Sequence, residues 1–199
     1  MLDKSFFKKS TLNAAQNLLG CYLIHNNCTG KIVETEAYLH NDKASHSFKG
    51  KTNRNEAMFS EAGKAYVYFT YGMHHCFNVV TNKKGVGEAV LIRALELIKG
   101  IEIMKKRRKT NNVRDLCNGP AKLVIAFGIK KEYNSHVLTK KPLYISERDE
   151  KPNIACSKRI GISKDKNLPY RFYIKDNEFV SKNKEQELKT SLLLNAYEK

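Results

Sequence analysis

The run Ile32–Val33–Glu34–Thr35–Glu36–Ala37–Tyr38 places two carboxylates and a phenol at every second position. Alternate side chains of an extended strand share a face. Glu34, Glu36 and Tyr38 therefore point one way, and Val33, Thr35 and Ala37 the other. Carboxylates so placed can take up a proton or orient a water, although a solvated sheet face gives the same pattern. A second run, Ala89–Val90–Leu91–Ile92–Arg93–Ala94–Leu95, contains one charge, Arg93. A guanidinium in an apolar strand is costly unless it is paired and hydrogen-bonded, and a carboxylate of the first strand is the natural partner. Such a pair keeps the carboxylate ionised and fixed in direction, as a base that directs water requires. The spacing does not choose between Glu34 and Glu36, and a purely structural salt bridge fits it as well.

Aromatic residues are the third feature. Tyr66 and Tyr68 share one face of Lys64–Ala65–Tyr66–Val67–Tyr68–Phe69–Thr70, where an aromatic more often fills a core. Tyr71 stands beside Gly72 at a hairpin tip, where it is harder to bury. In a basic protein a projecting aromatic suits insertion between base pairs. Other chemistry is not signalled. The chain has no C-x-x-C and no H-x-E, so the zinc deaminase pattern is missing. His74, His75 and Cys76 are adjacent, which puts neighbours on opposite strand faces and suits one metal poorly. Neither glycine-rich nucleotide motif occurs. No metal and no cofactor is expected.

Elements must hold these residues in place. Thr11 to Gly20 reads as a short capped helix closed by glycine. Cys21 to Ile24 and Lys31 to Tyr38 read as strands joined by a polar turn at Asn26 to Gly30. Asn41 to Asn55 reads as a functional loop. Lys64–Thr70 and His75–Val80 form the clearest hairpin. A strand is expected over Glu88 to Leu95, a helix from about Ile98 to Arg108, and another helix opening at Asn118–Gly119–Pro120. Leu143–Ile145 and Arg171–Ile174 are strand-like, and 182–199 is charged and peripheral. Strands outnumber helices without regular alternation, which predicts an α+β fold: a mostly antiparallel curved sheet with surrounding helices and a protruding hairpin.

The chain has 199 residues, 41% of them hydrophobic, and no apolar run near the ~20 residues of a membrane span. It reads as one domain, 1–199. The N-terminus lacks the apolar core of a signal peptide. Five scattered cysteines suit a reduced, cytoplasmic protein. A formal net charge of +16 fits a nucleic acid partner, and a Lys- and Asn-rich proteome yields the same balance.

Several ordered blocks resemble the alkyladenine (3-methyladenine) DNA glycosylase family. They are Ile32–Tyr38, Ala44–Ser45–His46, Thr52–Asn53–Arg54–Asn55, Met58–Phe59, Tyr66–Val67–Tyr68, Tyr71–Gly72–Met73, Val90–Glu96, Leu116–Leu123, Arg159–Ile160–Gly161–Ile162 and Arg171–Phe172–Tyr173. The likeness runs from about Leu12 to Ser181. It implies a monomeric base-excision-repair enzyme that flips alkylated or deaminated purines out of duplex DNA and hydrolyses the N-glycosidic bond. By this resemblance Glu36 is the general base and Arg93 helps to hold the attacking water, with the Ile160 carbonyl as a further water ligand. Tyr38 stacks on one face of the flipped base, His46 and Tyr68 on the other, and Asn78 lies at the pocket floor. Tyr71 enters the minor groove, and Arg54, Lys122 and the helix start at Gly119–Pro120 meet the DNA backbone. Glu rather than Lys at the base position implies a water nucleophile and no Schiff-base lyase step.

Two other readings compete. A glycoside hydrolase could use Glu34 and Glu36 as its carboxyl pair, but it gives no role to the basic surface or the hairpin aromatic. A DNA-binding module that senses distortion explains both of those, and leaves the arginine–carboxylate pair as mere structure.

Overall fold

A computed structural model describes residues 1–70 and 74–181. The strands are β1 (Tyr22–His25), β2 (Cys28–Tyr38), β3 (Ala65–Thr70), β4 (His74–Thr81), β5 (Glu88–Lys99), β6 (Leu143–Ser146), β7 (Ile154–Ser157) and β8 (Arg171–Ile174). They form one curled sheet in the order β3-β4-β5-β2-β1-β6, with β8 added to β2 and β7 to β8. All pairings are antiparallel. The helices are α1 (Lys4–Phe7), α2 (Thr11–Asn17), α3 (Ile101–Arg108) and α4 (Pro120–Phe127). This is the α+β arrangement that the irregular mixture of strand and helix patterns predicts.

Period-two alternation gives the sheet two unlike faces. Ala37, Ala65, Val67, Phe77, Val79, Val90 and Ile92 turn into the main core, where Ala14 and Ala15 of α2 and Leu123 and Phe127 of α4 meet them. Fully burying a leucine or phenylalanine there contributes ~1.5–3 kcal/mol each. The opposite face of β3, β4 and β5 carries Tyr66, Val80 and Ala89 in a smaller cluster. The protein's polar chemistry sits on that second face. Helix α4 is built for its place, with Pro120 in its first turn and Gly128 in the left-handed conformation (φ 69°) at its end.

Five elements depart from the sequence reading. The turn between β1 and β2 is only Asn26–Asn27, because His25 pairs with Cys28 and Asn26 accepts a positive φ of 52°. Cys28–Gly30, expected in the turn, therefore belongs to β2. Strand β5 runs on to Lys99, pairing Leu97 with Gly30 and Lys99 with Thr29. The helix after it starts at Ile101 rather than near Ile98, since Gly100 has φ 87°, a conformation no helix interior allows. The short elements α1 and β7 carry too few periodic residues to be seen in advance. Strands β3 and β4 pair up to Thr70 and His74, whereas Tyr71, Gly72 and Met73 at the expected tip lie outside the described residues, as does 182–199.

Among the described residues no helix is long and apolar enough to cross a membrane. No group of three or more His, Cys, Asp or Glu among them could hold a metal. All five cysteines are unpaired and buried.

Candidate active site

One row of paired residues crosses the sheet from β3 to β8: Tyr66, Asn78, Leu91, Glu36 and Arg171. Alternation puts Ala89, Leu91 and Arg93 of β5 on the same face, with Tyr68 on β3 and Cys76 on β4. Together with Tyr38, Ala44, His46, Met58 and the segment Ile160–Ile162, all of these except Glu36 and Arg171 line a cavity of about 320 Å³, a size typical of small-ligand sites. The long loop after β2 supplies Ala44 and His46, the loop after β7 supplies Ile160–Ile162, and the start of α4 supplies Pro120.

Beneath this cavity two carboxylates and two guanidiniums are buried together. Glu34 and Glu36 are fully buried, and Arg93 and Arg171 are nearly so. Arg93 donates through Nε to Glu34 Oε1 at 3.0 Å, and its Nη1 lies 3.3 Å from Glu36 Oε1. Arg171 donates to the same Glu34 oxygen at 2.7 Å and to Ser157 Oγ at 2.8 Å. Ser181 adds two more bonds to Glu34, from its amide and its hydroxyl, each 2.7 Å. The four charges cancel, which is what makes their burial affordable. Burial works against the charge of Arg93, and the Glu36 and Glu34 carboxylates override it, so that its pKa is raised.

The two carboxylates are held differently. Glu36 accepts from the Ile160 amide on Oε1 at 2.8 Å and from the Tyr38 hydroxyl on Oε2 at 2.8 Å. Burial, reinforced by the Glu36 charge, pushes the Tyr38 phenol well above its usual range. Tyr38 therefore stays protonated and donates. Among the described residues every partner of Glu36 (Tyr38, Arg93 and Ile160) borders the cavity. Glu34 shares Arg93, but its other partners, Arg171 and Ser181, do not.

His46 and Tyr68 meet edge to face with ring centroids 4.5 Å apart, and Tyr66 lies 5.2 Å from Tyr68. His46 Nδ1 is 2.9 Å from the Tyr66 hydroxyl. Burial, with Arg54 nearby, lowers the His46 pKa, so its imidazole is neutral at neutral pH. Tyr66 is pushed up to about 12 by burial. Asn78 is fixed by donating to the Tyr66 carbonyl at 3.1 Å. Arg54 is exposed and donates to the Phe69 carbonyl at 3.3 Å. Lys122 donates to Asn118 Oδ1 at 2.7 Å and lies 3.5 Å from Asp115.

The structure thus brings Glu36, Arg93, Tyr38, His46, Tyr68, Asn78 and Ile160 together, and sets Arg54 and Lys122 outside the cavity lining. Tyr71 lies outside the described residues. Ile160 touches Glu36 through its amide, a contact that was not foreseen beside the carbonyl role. Sequence reasoning also passed over Arg171, Asp42 and Arg159 as site residues. Arg171 carried a readable signal: it is a lone charge opening the apolar strand Arg171–Ile174, as Arg93 is in its own.

The model of the methylpurine-DNA glycosylase (MPG) family matches residues 5–178. A protein of Carboxydothermus hydrogenoformans named "Putative 3-methyladenine DNA glycosylase" is 51% identical over 189 residues, covering 92% of this chain and 99% of its own. A Francisella tularensis protein of the same name is 51% identical, covering 90% and 97%. One from Methanoculleus marisnigri, also so named, is 44% identical, covering 91% and 98%. The chain belongs to the methylpurine-DNA glycosylase family. It is a DNA repair glycosylase, a hydrolase of N-glycosyl bonds that acts on DNA.

Proposed function

We propose that the enzyme extrudes an alkylated or deaminated purine nucleotide from duplex DNA and that Glu36 activates the water that displaces the base. The water oxygen bonds to C1′ of the sugar, the C1′–N bond to the purine breaks, and Glu36 takes the water's proton. The observation that carries the choice of Glu36 is the division of partners: those of Glu36 all border the cavity, whereas Glu34 is bound by Arg171 and Ser181 as well as Arg93. Arg93 orients the carboxylate and the water beside it. The Ile160 peptide directs its amide at Glu36 and its carbonyl is the further water ligand. The purine lies between Tyr38 and the His46–Tyr68 pair, with Asn78 at the floor.

Flipping costs a few kcal/mol, and less for damaged or mispaired bases, so extrusion itself selects. A purine alkylated at N3 or N7 is cationic and leaves without a strong acid, so one carboxylate suffices. An aromatic sandwich favours such a cation by roughly 0.5–2 kcal/mol. A neutral lesion such as hypoxanthine needs help at the leaving base, and His46 or Tyr38 supplies it as a hydrogen bond. With Glu as the base and water as the nucleophile, no covalent enzyme–sugar adduct forms. Tyr71 fills the gap in the stack, and Arg54, Lys122 and the first turn of α4 hold the backbone.

The test is incubation with duplexes carrying 3-methyladenine, 7-methylguanine, hypoxanthine or ethenoadenine. Free base should appear, together with sites that nick only after alkali. Strand cleavage without alkali, or binding without base release, would refute the monofunctional hydrolytic reading.

A further inference from the structure

Behind the Tyr38 ring lies a buried ion pair that none of these roles uses. The Arg159 guanidinium sits 4.6 Å from the Tyr38 ring centroid and 5.5 Å from that of Tyr170. Its Nη2 donates to Asp42 Oδ1 at 2.9 Å, while Nη1 pairs with Asp42 Oδ2 and donates to the Ala37 carbonyl at 3.0 Å. Both side chains are 0% exposed. Arg159 does not border the cavity that Tyr38 borders, so the guanidinium occupies the ring face turned away from it. Among the described residues its buried Nε has no acceptor, which leaves a buried donor without its hydrogen bond.

We propose that the Arg159–Asp42 pair sets lesion preference: a fixed cation behind Tyr38 weakens that ring's attraction for a cationic alkylpurine in the cavity and shifts the balance toward neutral damaged purines. The inference rests on the reading that Tyr38 stacks on the extruded base. An aromatic ring attracts a cation to either face. With one face taken, the guanidinium opposes a second cation across the ring, and burial leaves that opposition weakly screened. Asp42 cancels part of the field, so the pair is a graded device. A neutral base stacks with little regard to this charge. Asp42 also accepts from the Ala44 amide at 2.9 Å, and Ala44 lines the cavity.

The experiment measures single-turnover release of 7-methylguanine and hypoxanthine from otherwise identical duplexes and takes the ratio of the two rates. Asp42→Asn keeps an acceptor for the Ala44 amide and uncovers the cation; it should lower the ratio of 7-methylguanine to hypoxanthine roughly 3- to 10-fold. The double variant Asp42→Asn/Arg159→Gln, which removes both charges, should raise the ratio above that of the unmodified enzyme. Arg159→Lys, which keeps the cation, should stay close to it. Circular dichroism and binding to a duplex with a tetrahydrofuran abasic site check that each variant folds, and the near-isosteric Asp42→Asn suffices alone. If the variants lower both rates in step, the pair is structural and the proposal is overturned. Tyr38→Leu separates the two readings. Should it change the ratio while the pair variants do not, the proposal fails and stacking stands. Should it leave both rates unchanged, the stacking reading fails and the proposal falls with it.

Discussion

Glu34 and Glu36 are two residues apart on one strand, equally buried, and bound to one shared arginine. What separates them is the company of the second oxygen: the Ser181 amide for Glu34, the Tyr38 hydroxyl for Glu36. Glu34 is the anchor of a neutral four-charge cluster, so its loss should show in stability. Removing one member of a buried ion pair costs ~3–5 kcal/mol. At ~2–4 °C per kcal/mol for a domain of this size, Glu34→Gln should lower Tm by roughly 6–20 °C in a thermal melt; an unchanged Tm would show that the cluster does not depend on its charge. His46 gives a pH prediction of definite sign. Its folded pKa is lowered by burial and by Arg54, so the unfolded chain takes up its proton first as pH falls. Stability from the neutral imidazole is complete above about pH 6.5 and is lost as pH falls from there toward the lowered folded value. Urea midpoints measured across that window should fall less steeply for His46→Gln; equal slopes would contradict the assignment. At this scale the sequence revealed Arg93 and its need for a carboxylate through a lone charge among apolar neighbours. It could not reveal the Ile160 amide or the Arg159 pair, because both depend on where a loop 120 or so residues away returns to the sheet.

The elements explain how one strand serves two purposes. Register slips between Ile32 and Glu34 and between Glu34 and Thr35 leave Val33 of β2 and Arg93 of β5 without direct partners. Such irregularities re-aim side chains, and this one lets Arg93 reach Glu34 and Glu36 together. Beyond it Ile32 and Leu95 return to the main core. The strands other than β7, with α2 and α4, were legible from alternation, caps and the Gly119–Pro120 start. The length of β5 was not, because its last four residues read equally as the first turn of a helix. Gly100 decides that boundary: a Cβ there would lie 2.6 Å from the Asn27 carbonyl, and φ is 87°. Gly100→Ala should therefore destabilise by about 1–3 kcal/mol, read from chemical denaturation. An unaltered midpoint would mean that the β5–α3 junction tolerates a side chain.

At the scale of the molecule, a net charge of +16 now has a partner in DNA, and composition alone could not separate that meaning from a basic proteome. Binding to a lesion-containing duplex should weaken with salt by about 0.9 log unit per log salt for each phosphate neutralised. Arg54→Ala should reduce that slope by about one such step; an unchanged slope would place Arg54 off the backbone. The curled sheet collects Tyr66, Asn78, Leu91 and Glu36 in one row, and the loops after β2 and β7 close over them. The central claim is that Glu36 activates the water, and single-turnover release of hypoxanthine from a duplex by Glu36→Gln tests it most directly. Release should fall by ~10²–10⁴-fold or more while binding to the same duplex is retained; turnover equal to that of the unmodified enzyme would contradict this role for Glu36.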